Sequence, residues 1–545
     1  MDVQTPSQTV ANRTLIDALC QRLRVQTGQP VSLVETHISW ILLTERLAYK
    51  LKKPVRLPFV DFSTLALRKH FCEEELRLNR ALAPSLYLGV VPVCGTERAP
   101  QLHGPGEPID YAVCMRRFAP GALLSERLAA GDLRPEHLES LAHRLAQFHQ
   151  HASVVPLESE RDATQRVVGP VLGVLGQLRP HCGAARTEAL ASWLAAQAQA
   201  LRVAWTERQR EGRVRECHGD LHLANTVLID GEATAFDCIE FDPALRRIDV
   251  LSDVAFLTMD LNANGRSDLA FRFLDTYLQC SGDYAGVPVL RFYEVYRALV
   301  RALVGCLRAA VPGAPAAAAG PDYLACAERL VRQAGGAPRL LITHGLSGSG
   351  KSTIAQQLLA TAGAIRLRSD VERKRLFGMT ALERSIGHAQ VYAPDATVRT
   401  FERLAGCART ALRAGYPVIV DAAFLRRAER DMFHALAVEL RVPFAILHCT
   451  ADEARLRERV AARSASGDDA SEADLNVLER QRGYCEPLSG DEPGYTLEVA
   501  TDDPVDAVAI CESWLVHADA LLNEPDSLAR RGLQRAALTQ RKFGH

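Results

Sequence analysis

The stretch Gly345-Leu346-Ser347-Gly348-Ser349-Gly350-Lys351-Ser352 fits G-x-x-x-x-G-K-[ST], the pattern of a loop that holds phosphate. Its glycines let backbone N–H groups converge on an anion, and the helix behind the loop adds the positive end of its dipole. Lys351 has the reach for β- and γ-phosphates, and Ser352 offers a hydroxyl to Mg²⁺. The flanks agree with this reading. RLLITHG leads in as an apolar strand-like run, and IAQQLLA leaves with helical periodicity. Gly345, Ser347, Gly348, Ser349, Gly350, Lys351, Ser352 and the adjoining Thr353 form the expected ATP-contacting set.

Working downstream, IRLRSDVERKRLFG reads as a short strand ending in Arg-Ser-Asp. Asp370 then stands where an acceptor hydroxyl would face the γ-phosphate. A carboxylate there can orient or deprotonate the hydroxyl, and Arg373, one turn on, can hold an anionic group. The alternative is a helix-capping Asp beside a solvated Arg. PVIVDAAF is a buried strand closing on Asp421, which reads as the acid of the Mg²⁺ shell or as a cap. Arg459 and Arg463, in RERVAARSASGDDAS, read as lid arginines for ATP phosphates or as a solvated helix face. FAILHCT and TLEVAT are further strands. Strands alternating with helices imply a doubly wound parallel sheet. The chain has no guanine-selecting Asn-Lys-x-Asp run, so ATP is expected over GTP.

Upstream, His218-Gly219-Asp220-Leu221-His222-Leu223-Ala224-Asn225 has the spacing of a kinase catalytic loop, H-x-D-x-x-x-x-N. An Asp accepts the proton of the attacking hydroxyl, and an Asn on the same loop holds Mg²⁺. TVLI and TAFDCI flank an Asp-Gly turn, a hairpin signal, and Asp237 follows it as the second metal carboxylate. Such a site also needs a strand Lys paired with a helix Glu. Two β-like runs, HISWILLT and RLAYKLKKPV, precede a helix from about Thr64 to Leu82. Lys50 and Glu75 are the expected pair, with Lys52 on the same strand face and Glu74 as competitors. No glycine-rich loop precedes Lys50, where the sequence reads SWILLTERLAYK.

At 545 residues the chain exceeds one compact core, so two or three domains are expected. The Ala/Pro/Gly run AAVPGAPAAAAGP is the best linker. We expect a first domain over 1–320, a linker helix and loop over 321–336, a P-loop domain over 337–524, and a basic tail, frayed, over 525–545. The fourteen cysteines are scattered without a C-x-x-C pair, which favours reduced thiols over disulfides or a zinc site. The first residues lack a signal-peptide core, and no run of apolar residues is long enough for a membrane span. A cytoplasmic protein with no membrane partner is expected, and the oligomeric state stays open. Net charge is −1, and residues 336–524 carry about five more acids than bases, so nucleic acid is not a favoured partner.

The residues 217–256 resemble the aminoglycoside phosphotransferase family, small-molecule kinases with a protein-kinase-like fold. The resemblance implies Asp220 as base, Asn225 and Asp237 on metal, and Asp253, in SDVAF, as a buried brace of the loop. The second half resembles small P-loop kinases such as gluconate and shikimate kinases, chloramphenicol phosphotransferases and the kinase domain of polynucleotide kinase. The D-x-x-R spacing of Asp370 and Arg373 is nearest the last. The whole order, with FCEEELRLNRALAPSLYLGVVPV and VIVDAAFL, resembles bacterial fusions of the two kinds of domain. The fold class implied is α/β with two domains, a kinase-like α+β fold followed by a P-loop fold. The function implied is ATP-dependent transfer of phosphate to a hydroxyl of a small molecule, with Mg²⁺. A polynucleotide 5′-hydroxyl kinase and a nucleotide-gated regulatory protein, its first domain a degenerate sensor, are the alternatives.

Overall fold

The computed structural model describes residues 6–57, 60–309, 320–334, 337–384, 389–466 and 469–523. The expected tail 525–545 and most of the Ala/Pro/Gly run lie outside them. The chain divides into two compact units, one of Met1–Asn264 with Phe292–Leu324, the other of Gly265–Arg291 with Ala325 onward. A single cut near 320 therefore differs from the observed grouping, because residues 265–291 go with the second unit. Their helix Ser267–Ser281 is amphipathic, and Phe271 packs on the core beside the P-loop helix Lys351–Ala362. Asp275 on that helix forms a buried ion pair with Arg366 at 2.7 Å.

The first unit begins with helix Pro6–Thr27 and a six-stranded antiparallel sheet. Its strands are β1 (Ser32–Glu35), β2 (Ser39–Leu43), β3 (Leu47–Lys52), β4 (Tyr87–Thr96), β5 (Ala99–Leu102) and β6 (Pro108–Arg116), in the order β1-β2-β3-β6-β4-β5. Period-two alternation gives the sheet two apolar faces. Trp40, Leu42 and Leu51 meet Ile16 and Leu19 of the first helix, while Ala48, Val113 and Met115 meet Cys72 of helix Leu65–Arg80. That second helix starts where its cap dictates: the Thr64 hydroxyl accepts from the Leu67 N–H at 3.2 Å. Lys50 and Lys52 share the face of Ala48, so the alternation delivers both ammonium groups to this helix. The β1–β2 turn, Thr36–Ile38, stands where a kinase would carry a glycine-rich loop. It contains no glycine and is closed by its own side chain, Thr36 Oγ1 accepting from Ser39 N–H at 3.0 Å.

A mostly helical region follows and includes the hairpin β7 (Thr226–Ile229) and β8 (Glu232–Ala235). Asp230 and Gly231 at its turn have φ of 52° and 86°, the paired positive values a tight two-residue hairpin demands. The helix Val250–Ala263 is buried almost all round, as expected for an element with neighbours on every side.

The second unit is a five-stranded, all-parallel sheet of β9 (Leu340–His344), β10 (Ile365–Arg368), β11 (Val418–Asp421), β12 (Phe444–Thr450) and β13 (Thr496–Ala500), in the order β10-β11-β9-β12-β13. Every residue of β9 is buried, as strands covered on both faces must be. The sheet order reverses direction at β9, which places the P-loop at the switch point where ligands of such sheets bind. No helix among the described residues is long and apolar enough to cross a membrane.

Candidate functional site

The P-loop runs from the C-terminal end of β9 into helix Lys351–Ala362. A Cβ at Gly345 would lie 2.4 Å from the Cys449 carbonyl oxygen, and one at Gly348 2.7 Å from that of Leu456. Both residues also have positive φ, 140° and 85°, so only glycine fits the cradle. Lys351 Nζ donates to Leu346 O at 2.7 Å, folding back over the loop. Burial pushes its pKa below the usual lysine range, against the pull of Cys449, Asp421 and Asp370. A buried ammonium of this kind gains from an anion laid against it.

Ser352 Oγ donates to Asp421 Oδ1 at 3.1 Å. Asp421 is buried at the end of β11, and its Oδ2 has no hydrogen-bond partner. The Arg366 and Arg368 guanidinium groups lie 3.8 and 3.7 Å from that oxygen. A hydroxyl and an unsatisfied carboxylate oxygen side by side fit a hydrated Mg²⁺, which takes few protein ligands.

Asp370 differs from the sequence expectation in one respect. The strand ends at Arg368, and Asp370 lies in the first turn of the helix Ser369–Arg375. Arg368 is the N-cap residue and no side chain caps this helix, so the carboxylate is not a cap. It is half-buried and acts on the charges of both Lys351 and Arg368. Arg373 bonds Thr397 Oγ1 at 3.1 Å and Val391 O at 3.4 Å, tying this helix to the segment that leads into helix Pro394–Arg413. Arg459 spans the P-loop and the end of β13, bonding Gly348 O at 3.3 Å and Thr501 O at 2.6 Å. Arg463 bonds Ala473 O at 3.3 Å and contributes to the field at Lys351. Neither arginine is a merely solvated face.

Several participants have no local sequence signal. Gln481 Oε1 accepts from the Ser347 N–H at 2.8 Å, closing one phosphate-loop donor from helix Leu475–Tyr484. Asp469 receives two bonds of 3.1 Å from Arg368, and Glu472 pairs with Lys374 at 2.9 Å. His344, immediately before the loop, shares a 2.8 Å Nδ1–Nδ1 hydrogen bond with His448. Burial pushes His344 down to about 3 and also lowers His448.

In the first unit, Lys50 Nζ reaches Glu75 at 2.9 Å and Asp237 at 2.5 Å. Lys52 pairs with Glu75 and with Glu240. The strand lysine that touches Asp237 is therefore Lys50, while Lys52 braces the same Glu75 from two residues on. Glu74 instead pairs with Arg77 at 2.8 Å. Three carboxylates against two ammonium groups leave one excess negative charge, and only Asp237 faces solvent, its side chain 42% exposed. That is the arrangement a divalent cation would balance.

Asn225 Nδ2 donates at 3.0 Å to both Asp220 O and Asp220 Oδ2, which leaves its Oδ1 for a cation. Burial would raise the Asp220 pKa, but His222, Arg301 and His218 outweigh it and hold the carboxyl well below the usual range. Asp253 accepts from the N–H groups of His218 and Gly219 at 3.0 and 2.9 Å, and meets His149 Nε2 at 3.2 Å. Asp260 is a second brace, accepting from the Leu223 N–H at 2.9 Å and from the Tyr323 hydroxyl at 2.7 Å. The periodicity of its helix marks it only as buried.

The Lys50–Glu75–Lys52 cluster carries a pH prediction. Burial acts to raise the Glu75 pKa, but Lys50 and Lys52 outweigh it and lower it to about 2, from an ordinary 4.5. A carboxyl depressed on folding stabilises the fold above its unfolded pKa, and that contribution is lost as pH falls toward the folded value. Burial raises Glu240, which opposes part of this loss. The thermal midpoint of the wild-type protein should fall between about pH 4.5 and 2 more steeply than that of Glu75→Gln, by circular dichroism. Parallel pH profiles for the two proteins would refute the assignment.

Two family models match the chain. Residues 60–293 match the phosphotransferase enzyme family, and residues 340–488 match an AAA domain. Uncharacterized protein Rv2004c of Mycobacterium tuberculosis is 31% identical over 468 residues, covering 84% of this chain and 91% of the relative. Uncharacterized protein Mb2027c of Mycobacterium bovis matches to the same extent. The chain belongs to the family of these mycobacterial proteins. Solved structures similar to parts of the chain are less similar in sequence than those relatives. A gluconokinase from Sinorhizobium meliloti is 20% identical, covering 34% of this chain and 95% of its own, with a TM-score of 0.25. A choline/ethanolamine kinase family protein from Mesorhizobium loti is 13% identical, covering 58% and 93%, with a TM-score of 0.34. The chain joins a phosphotransferase domain to a P-loop kinase domain and is a kinase-type phosphotransferase.

Proposed function

We propose that the second unit transfers the γ-phosphoryl group of MgATP to a hydroxyl of a small molecule. The observation that carries this reading is Asp370, a half-buried carboxylate that caps no helix and acts on the P-loop lysine. MgATP supplies the phosphoryl group and the charge that shields it. The loop Gly345–Gly350 and Lys351 hold its phosphates, and Ser352 and Asp421 hold the cation shell. Asp370 orients the acceptor hydroxyl and takes its proton late, since phosphoryl transfer passes through a loose transition state. Arg373 positions the helix carrying Asp370, Arg459 ties the loop to the residue after β13, and Arg463 adds positive charge near Lys351. The first unit offers a second MgATP site on Lys50, Asn225 and Asp237, with Asp220 as its base. The excess of acids in residues 336–524 favours a small acceptor over a polynucleotide.

The test is ³²P transfer from labelled ATP to a panel of small alcohols, sugars and 5′-hydroxyl oligonucleotides. Lys351→Ala removes the charge aimed at the phosphates and should lower ATP affinity or turnover at the P-loop by at least ~10-fold. Wild-type ATP binding and hydrolysis in that variant would end the P-loop reading. Labelling of oligonucleotides alone would replace the small acceptor by a polynucleotide. ATP binding with no transfer to any acceptor would favour a regulatory protein.

A further inference from the structure

We propose that Cys182 and Cys306 form a redox-modification site, a dithiol that closes to an intrachain disulfide when a hydroperoxide reaches it. Most of the fourteen cysteines are buried, and only Cys182, Cys280, Cys306, Cys407 and Cys485 are half-buried. Two of those five face each other. The Sγ atoms of Cys182 and Cys306 lie 4.0 Å apart, with one thiol donating to the other sulfur.

Both residues belong to the first unit. Cys182 is the last residue of helix Glu160–Cys182, and Cys306 lies in the last turn of helix Val287–Ala309. The carbonyls of a last turn lack intrahelical partners, so the backbone there yields more readily than in mid-helix. That freedom matters, because the sulfurs must close from 4.0 Å to the ~2.05 Å of a disulfide. His181, Gly183, Gly305 and Leu307, on either side of the two cysteines, are exposed, which puts the pair at the surface, where oxidation is selective. The fold has brought together two thiols 124 positions apart. The entropy of closing that loop is therefore lost before the bond forms, and the intrachain disulfide outcompetes bonds between molecules.

Burial and the Cys306 sulfur push the Cys182 thiol up, which leaves Cys306 to react first and Cys182 to resolve. The Cys306 thiolate attacks a peroxide oxygen, the O–O bond breaks, and a sulfenic acid forms as the other oxygen leaves and is protonated. Cys182, giving up its proton, then attacks that sulfur. The S–S bond forms, the S–O bond breaks, and hydroxide departs to become water. Two thiols thus lose two protons and two electrons, and hydrogen peroxide is reduced to two waters. In a reducing compartment the pair stays a dithiol until oxidant rises. Arg301, earlier on the helix of Cys306, acts on the charge of Asp220, so the bond fixes the end of an element that shapes the field at the kinase-like loop.

The experiment treats the full-length protein with hydrogen peroxide, blocks the remaining thiols with N-ethylmaleimide and maps the unreduced digest by mass spectrometry. A peptide pair joined through Cys182 and Cys306 is expected, in chains that run singly on a non-reducing gel, and dithiothreitol should reopen it. This link should form at peroxide concentrations at least ~10-fold below those that join any other two cysteines. Cys182→Ser and Cys306→Ser should each abolish it. Should either variant fail to fold, the wild-type map decides. Preferential linkage of other cysteines, links only between chains, or N-ethylmaleimide on both Cys182 and Cys306 after other thiols have oxidised would each overturn the proposal.

Discussion

Asp370→Asn is expected to lower phosphoryl transfer by at least ~100-fold while leaving the melting temperature in place. Asn preserves the size and polarity of the side chain but cannot take a proton or carry charge. Loss of a capping carboxylate would instead cost ~1 kcal/mol of stability and leave the chemistry nearly intact. That alternative has lost its structural basis, since Arg368 occupies the cap position and no side chain caps the helix. What remains for stability is the attraction of a carboxylate to a helix N-terminus, ~0.3–1 kcal/mol. ATP affinity should hold or tighten slightly, because a negative charge that acts on Lys351 also repels phosphate. The decisive comparison is single-turnover transfer against equilibrium ATP binding in the same variant. Near-normal transfer would move the search for the base to Asp421.

Asp237→Ala should abolish Mg²⁺-dependent nucleotide binding at the first unit, a loss of at least ~100-fold for a principal metal carboxylate. The measurement belongs in the full chain with Lys351→Ala silencing the P-loop. A fragment cut at 320 would carry residues 265–291 away from the unit they group with, exposing Phe271 and stranding Asp275 without Arg366. In the double variant Lys50 keeps Glu75 but loses its second partner, and the metal loses the one solvent-facing acid of the cluster. A nucleotide isotherm that survives Asp237→Ala would assign that binding elsewhere. No isotherm in Lys351→Ala alone would make the first unit a kinase-like domain that no longer takes nucleotide, consistent with its glycine-free β1–β2 turn.

Legibility in this chain followed sequence distance. The P-loop could be read because its glycines, lysine and serine act within eight consecutive residues, where backbone geometry alone brings them together. The H-x-D-x-x-x-x-N loop and the Asp-Gly hairpin before Asp237 were legible for the same reason. Period-two alternation put Lys50 and Lys52 on one face of β3, but it could not say which would meet Asp237. That choice depends on how helix Leu65–Arg80 lies on the sheet. Asp370 was found by its place after a strand, yet whether it capped a helix depended on where β10 stopped, two residues earlier than the sequence suggested.

By itself, then, the sequence determined a P-loop and a kinase-like loop, the order of the two folds and the parallel arrangement of the second sheet. Each rests on short-range periodicity and on residue types that only one local backbone accommodates. The tertiary structure alone decided the pairings between distant residues. Gln481 closes the Ser347 N–H from 134 positions away, Asp275 joins Arg366 across 91, and Asp253 and Asp260 brace a loop more than 30 residues before them. Nothing in the local chemistry of a glutamine or an aspartate distinguishes these from their solvated counterparts. Their partners are set by which helix faces the packing of apolar side chains turns toward the sheet, and a few ångströms of that packing separate a buried brace from a surface charge.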